Sequence, residues 1–352
     1  MKKKILIVRL SALGDVIFSL PALQRLKKLD PEAAVSWLVE DKAATLLMDR
    51  RDLERILVYP RKAMDRSLKN PLRWPGLLKT MLGHLGGLRR ERYDAIYDLQ
   101  GNLKSGVQVL LARGRRKVGF ARGYVKERND WFTKEHVTPP GHAVHRIEKA
   151  VSLVEPDFHP GTIERPDLDL PQSVVEESGH ALEALLPGSD RLMIVHPGTS
   201  SFGAYKRWAS EKYGQLCRRM HEEHGFTSLA TWGPGERPLA EAVAASGGGS
   251  VYVAPRSPTL LHLAAYLQAG DCFVSADSGP LHLANFLGIP CLGVFGPKDP
   301  ALYRPYFPPS AVVRRDVDCS PCTRRHCDDP ICMKQLEVDE VYAALLALIK
   351  ED

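Results

Sequence analysis

Short apolar runs alternate with stretches whose apolar positions recur at helical spacing, from one end of the 352-residue chain to the other. In the first half, residues 4–8, 35–39 and 95–99 read as buried strands, and 16–28, 43–48 and 103–111 read as helices. In the second half the strands fall at 193–196, 227–231, 250–253, 272–274 and 290–295. Helices are expected at 211–224, 236–245 and 259–269, from Pro280 to a stop at Gly288, and at 338–349. Strands separated by helices build parallel sheets with right-handed crossovers, so the expected class is α/β. Residues 155–172 are rich in Pro and polar residues and carry little apolar periodicity, which reads as a connection. The expected organisation is an N-terminal domain over 1–172, a C-terminal domain over 173–335 and a closing helix in 336–352.

Composition adds little to this picture. With 44% hydrophobic and 26% charged residues, the chain has an ordinary globular make-up and the length of two domains. Nothing approaches the roughly 20 apolar residues of a membrane span. The opening MKKKILIVRL has its apolar run broken by Arg9, which suits a first strand better than a signal peptide, and a cytoplasmic location is expected.

Charge changes the picture more. The net charge is +6, but residues 61–92 carry nine Lys or Arg against two acids, and residues 113–128 carry seven against one. A concentrated basic surface implies an anionic partner: nucleic acid, an acidic membrane or a phosphorylated substrate. The alternative is a set of solvated helix faces. Residues 68–88 add Trp74 and several Leu to these cations, a pattern that suits an interfacial amphipathic stretch or an ordinary surface helix pair.

Candidate chemistry sits in turns that follow strands. In VSADSGPLHLANFLGIPCLGVFGPKD, residues 274–299, a polar turn with Asp277, Ser278 and Gly279 leads into a helix that also carries His282. Free amides at a helix N-terminus beside a strand end form the place where an open α/β sheet binds phosphate. A second turn, His196-Pro197-Gly198-Thr199-Ser200, leads to Lys206-Arg207, which suits a pyrophosphate or is simply solvated. A third, residues 232–236, ends in Glu236, a ligand for a ribose or base edge or a helix cap; residues 295–299 form the fourth. Four such turns in one half point to a crevice. In the first half, Asp15 follows Gly14 at a helix start, where a carboxylate caps amides or, kept ionised, serves as a general base.

RLSALGDVIFSLPAL, YDAIYDLQGNLKSG, HPGTS with KRW, and SADSGPLHLANFLGIPCLGVFGPKDP together resemble the ADP-heptose:lipopolysaccharide heptosyltransferases. The resemblance implies a GT-B fold, two Rossmann-like domains with parallel sheets facing across a cleft. It implies inverting transfer of heptose from ADP-heptose to the phosphorylated inner core of lipopolysaccharide, with no cofactor required for catalysis. By position, Asp15 matches the proposed general base and Lys206 the lysine near the donor phosphates. Glu236 matches the acid that contacts the nucleoside, and Asp277 the aspartate near the donor sugar. Thr199, Ser200, Ser278, Gly279 and His282 fall on the phosphate side, with Ser278 standing where the family usually has Thr. Arg61, Lys62 and Lys126 lie where the family places cations for the acceptor. A cytoplasmic enzyme in peripheral contact with the anionic inner membrane is expected, with no nucleic acid partner.

Seven Cys are present. Cys217, Cys272 and Cys291 sit in apolar patterns, as core residues do. Cys319, Cys322, Cys327 and Cys332 form C-x2-C-x4-C-x4-C, which in a cytoplasmic protein reads as a possible structural metal or disulfide-capable cluster, or as reduced thiols in a compact loop. Three other functions remain open at this level. They are a related transferase with another nucleotide-sugar donor or glycan acceptor, a nicotinamide-dependent oxidoreductase, and a non-catalytic anion-binding protein. The oxidoreductase is disfavoured by the missing GxGxxG. Nucleic-acid binding is disfavoured by the few aromatics among the cations.

Overall fold

A computed structural model describes residues 2–48, 50–68, 74–186, 188, 190–322, 324 and 326–350. The chain divides into two compact units, Met1–Pro166 and Asp167–Asp352.

In the first unit the described strands are β1 (Lys4–Val8), β2 (Ala34–Glu40), β3 (Arg55–Tyr59), β4 (Arg92–Asp98), β5 (Arg113–Phe120) and β6 (Glu135–Val137). They form one parallel sheet in the order β3-β2-β1-β4-β5-β6. Leu6, Val8, Leu38 and Ile96 from its central strands are buried together. The second unit repeats the plan with β7 (Leu192–His196), β8 (Thr227–Ala230), β9 (Val251–Val253), β10 (Cys272–Ala276), β11 (Cys291–Phe295) and β12 (Ser310–Arg314). Its parallel order is β12-β11-β10-β7-β8-β9. The strands β7, β10 and β11 are buried along their whole length, which is why they read as unbroken apolar runs. The helix Val338–Lys350 packs Val341, Leu345 and Leu348 into the core of this unit.

Three expectations need correction. The single helix over 16–28 is two helices, Leu13–Ile17 and Leu20–Leu29, because Pro21 has no N–H to donate back into the preceding turn. The helix over 43–48 is one 3₁₀ turn, Ala44–Leu46, since so short a segment cannot offset the cost of helix nucleation. The basic stretch from 113 is not a helix face but begins as β5, where Arg116 pairs with Glu135 at 2.6 Å and Arg115 lies 3.8 Å from Asp94. Part of that positive charge is therefore neutralised within the sheet. In the stretch at 68–88, residue 68 ends the helix Arg61–Leu68, residues 69–73 lie outside the described residues, and 74–88 belong to the helix Trp74–Arg89.

Candidate functional site

In the second sheet, strands β7, β8 and β9 run outward to one side, and β10, β11 and β12 to the other. The order reverses between β7 and β10, and a crevice opens at the carboxyl end of such a switch point. The four turns singled out in the sequence follow β7, β8, β10 and β11, four neighbouring strands of one parallel sheet. They therefore gather on one edge.

Asp277, just past β10, is the electrostatic centre of this edge. Its Oδ2 lies 2.7 Å from Lys206 Nζ, and its Oδ1 lies 3.3 Å from His282 Nε2. The same ammonium donates to the Asp277 carbonyl at 2.6 Å. Burial opposes the charge on Asp277, but the His282 hydrogen bond and the Lys206 charge outweigh it, and its pKa falls to about 2. Ser278 caps the helix Gly279–Leu287, its Oγ 3.5 Å from the Leu281 amide and 3.0 Å from Ser275 Oγ. The positive end of that helix dipole thus faces the same edge as Lys206.

The turn after β7 is strapped by a side chain from the end of the segment that follows it. Arg207 donates through Nε to Thr199 Oγ1 at 3.1 Å and through its terminal nitrogen to the Thr199 carbonyl at 2.6 Å. Thr199 is buried, whereas Ser200 is exposed at the start of the 3₁₀ helix Ser201–Lys206 that delivers Lys206. Glu236 stands at the N-terminus of the helix Arg237–Gly247 but makes no side-chain cap. Its Oε2 instead accepts from the Gly233 amide at 3.0 Å and faces His196 Nε2 at 3.4 Å. Burial raises the pKa of Glu236, but His196 and the Gly233 amide outweigh it and the net shift is downward.

The first unit gathers its candidates the same way. Asp15 follows β1, Arg61 and Lys62 follow β3, and Lys126 follows β5, so all lie at the carboxyl edge of one sheet. Arg61 with Lys62 and, on the other side, Lys126 each come from a strand two places away from β1, roughly 10 Å in strand spacings. Asp15 sits at the start of the helix Leu13–Ile17 and makes two contacts. Its Oδ2 accepts weakly from the Ala12 amide at 3.4 Å, and its Oδ1 pairs with Arg9 at 2.8 Å. Arg9, read in the sequence only as a break in an apolar run, is buried and also donates to the Leu99 carbonyl at 2.5 Å. Gln100 holds the turn from the other side, accepting from the Leu10 and Ser11 amides at 2.7 and 3.2 Å. Lys104 pairs with Glu40 and donates to Ser11 Oγ at 3.2 Å. Arg61 pairs with Asp65 at 3.0 Å, the Lys62 amide donates to Asp41 at 2.8 Å, and the Lys126 side chain is exposed.

Cys319, Cys322, Cys327 and Cys332 line one cavity of about 270 Å³, with Tyr205 and Pro297 on its wall. Among the described residues no three His, Cys, Asp or Glu side chains converge closely enough to hold a metal ion. Their loop is tied to the turn after β11, for the Cys322 amide donates to the Pro297 carbonyl at 2.8 Å and Ser320 Oγ donates to that of Gly296. Among the described residues no helix is long and apolar enough to cross a membrane.

The solved structures most like this one include the E. coli heptosyltransferase WaaC with ADP, at 23% identity and a TM-score of 0.75, covering 98% of this chain and 99% of that one. E. coli ADP-heptose lps heptosyltransferase II is 18% identical, with a TM-score of 0.78 over 100% and 99% of the two chains. Both establish the GT-B fold. Among curated relatives, lipopolysaccharide heptosyltransferase 1 of Pseudomonas aeruginosa is 27% identical over 98% of each chain. The E. coli K12 protein of the same name is 28% identical over 86% of this chain and 91% of its own. Residues 81–331, which hold every donor-side candidate, match the profile of glycosyltransferase family 9 (heptosyltransferase). That match decides for glycosyl transfer over hydride transfer and simple anion binding: the chain is a glycosyltransferase and belongs to glycosyltransferase family 9, the heptosyltransferases.

Proposed function

We propose that the protein transfers heptose from ADP-heptose to the phosphorylated inner core of lipopolysaccharide with inversion at the anomeric carbon, Asp15 acting as general base. The observation that carries the donor half is the Asp277–Lys206–His282 cluster at a helix N-terminus on the switch-point edge. In this reading Lys206 and the helix dipole hold the diphosphate, Asp277 faces the sugar and Glu236 takes the nucleoside. Asp15 accepts the proton of the acceptor hydroxyl as its oxygen bonds to the anomeric carbon. The bond from that carbon to the phosphate oxygen breaks, and ADP leaves with the electron pair. A single displacement of this kind inverts the centre. Lys206 stabilises charge that grows on the leaving group, the situation in which a fixed cation contributes most. The chemistry asks for no cofactor. Arg61, Lys62 and Lys126 are assigned to the acceptor phosphates.

Supplying ADP-heptose and lipopolysaccharide lacking its inner-core heptose should release ADP in step with acceptor elongation. Asp15→Ala should lower turnover by about 10³-fold, within the range ascribed to a positioned base, and leave ADP-heptose affinity unchanged. A variant that kept most of its turnover would remove Asp15 from the mechanism. A screen of other nucleotide sugars distinguishes the alternative of a related transferase.

Two further assignments belong to this reading. Trp74, Leu78 and Leu82 are all exposed at spacings of four along the helix Trp74–Arg89, beside Lys79. An apolar stripe with cations suits peripheral contact with an anionic bilayer. The four thiols around one cavity, three in the loop and Cys332 in the helix Ile331–Lys334, are of the kind that serves a structural metal. Elemental analysis of the purified protein tests this; four free thiols with no bound metal would leave a plain loop.

A further inference from the structure

His196 is an ionisable side chain at the donor edge that the chemistry above leaves without a task. It ends β7, and only 2% of it is exposed. Both ring nitrogens have partners: Nδ1 is 3.0 Å from Thr231 Oγ1, and Nε2 is 3.4 Å from Glu236 Oε2. Thr231 can turn its hydroxyl towards Nδ1 or towards the Val195 carbonyl at 3.1 Å. In either case the carboxylate opposite favours a proton on Nε2.

Backbone closes in on Glu236 at two glycines. A Cβ added to Gly198 would lie 2.3 Å from Oε2, and one added to Gly233 would lie 2.8 Å from it. With the Gly233 amide donating at 3.0 Å, the carboxylate is cradled by two glycines and steered by one imidazole. An acid at the end of the second strand of a βαβ unit is where Rossmann-type sites meet ribose hydroxyls. Glu236 follows β8, the second strand of this unit.

We propose that His196 is a positioning residue that holds the Glu236 carboxylate in register for the ribose 2′-hydroxyl of the donor nucleotide, and so sets the preference for a ribonucleotide over a deoxyribonucleotide. The proposal rests on the reading of this edge as the ADP site. His196 touches no substrate; it acts through Glu236.

The test is the ratio of affinities for ADP and 2′-deoxyADP, measured by calorimetry on the full chain. The intact protein should prefer ADP by about tenfold, the worth of one hydrogen bond to a carboxylate. Glu236→Ala should abolish the preference. His196→Leu should reduce it to about twofold, whereas His196→Gln, which keeps an N–H near the position of Nε2, should restore most of it. A general loss of structure would weaken both ligands alike and leave the ratio unchanged. Should His196→Leu fail to fold, Thr231→Val, which removes the partner of Nδ1, must lower the ratio in its place. If Glu236→Ala leaves the preference intact, the assignment of Glu236 to the ribose fails. If Glu236→Ala removes the preference but neither His196→Leu nor Thr231→Val lowers it, the role of His196 alone is overturned.

Discussion

The two units share one strand order but hold their carboxylates in opposite ways. Asp277 in the second unit has a side chain only 10% exposed, fixed between Lys206 and His282. Asp15 in the first is 33% exposed and has one charged partner, the buried Arg9. A carboxylate closed in on both sides is set before any ligand arrives, which suits a site for a small, fixed, multiply charged group. A carboxylate left partly open can exchange a proton with an incoming alcohol. The cations follow the same division. Lys206 is 17% exposed, while Arg61 is 41% exposed. One topology thus supports a rigid charge cluster in one copy and solvated, adaptable charges in the other.

The strongest way to break this comparison is to remove Lys206. If Lys206 is the fixed cation of the leaving diphosphate, Lys206→Met should cost about 10³-fold in kcat/KM and weaken ADP binding as well. Asp15→Ala should lower turnover alone. If both variants lost turnover and kept full ADP affinity, the division of labour would be wrong.

A smaller effect should appear in stability against pH. The pKa of Asp277 in the folded protein, about 2, lies below its ordinary 3.8. Ionised Asp277 therefore contributes stability above about pH 4, and the contribution disappears as pH falls towards 2. It is on the order of 2 kcal/mol. Urea titrations should show the intact protein more stable than Asp277→Asn near pH 6, with the gap closing as the pH drops through that window.

Smaller still, Lys126→Ser should raise KM for a phosphorylated acceptor by about threefold, an effect that shrinks with added salt, as for any exposed cation. KM for the donor should not move. At the apolar stripe the effect on catalysis is the least, and the change falls on membrane partition instead. Replacing Trp74 and Leu78 by Ser should lower partition onto phosphatidylglycerol vesicles by about fivefold, with turnover of a detergent-dispersed acceptor preserved.

Most of the second unit was legible because β7, β10 and β11 are buried on both faces and end in turns with Gly, Ser or Asp. The periodicity of β5 was hidden by its four cations, Arg113, Arg115, Arg116 and Lys117, which read as a basic patch although the residues pair as a strand. The candidate site was legible in its carboxylates and lysine, which carry motif signatures. The residues that hold them were not. Arg9, His196, Arg207 and Gln100 act across strands or turns, and sequence spacing carries no signal for such contacts. The HPGTS turn did contain one clue, since its Gly198 leaves room for the close approach of Glu236.

Every cysteine of the chain lies beyond residue 166, so the first unit has none. Cys217, Cys272 and Cys291 are buried, and burial pushes the Cys217 thiol up to about 12 and raises Cys272 as well. Cys319, by contrast, is exposed. An alkylating dye should therefore mark Cys319 at once and the buried thiols only when the second unit opens. The slow phase of labelling would then time the unfolding of that half alone, with its neighbour silent.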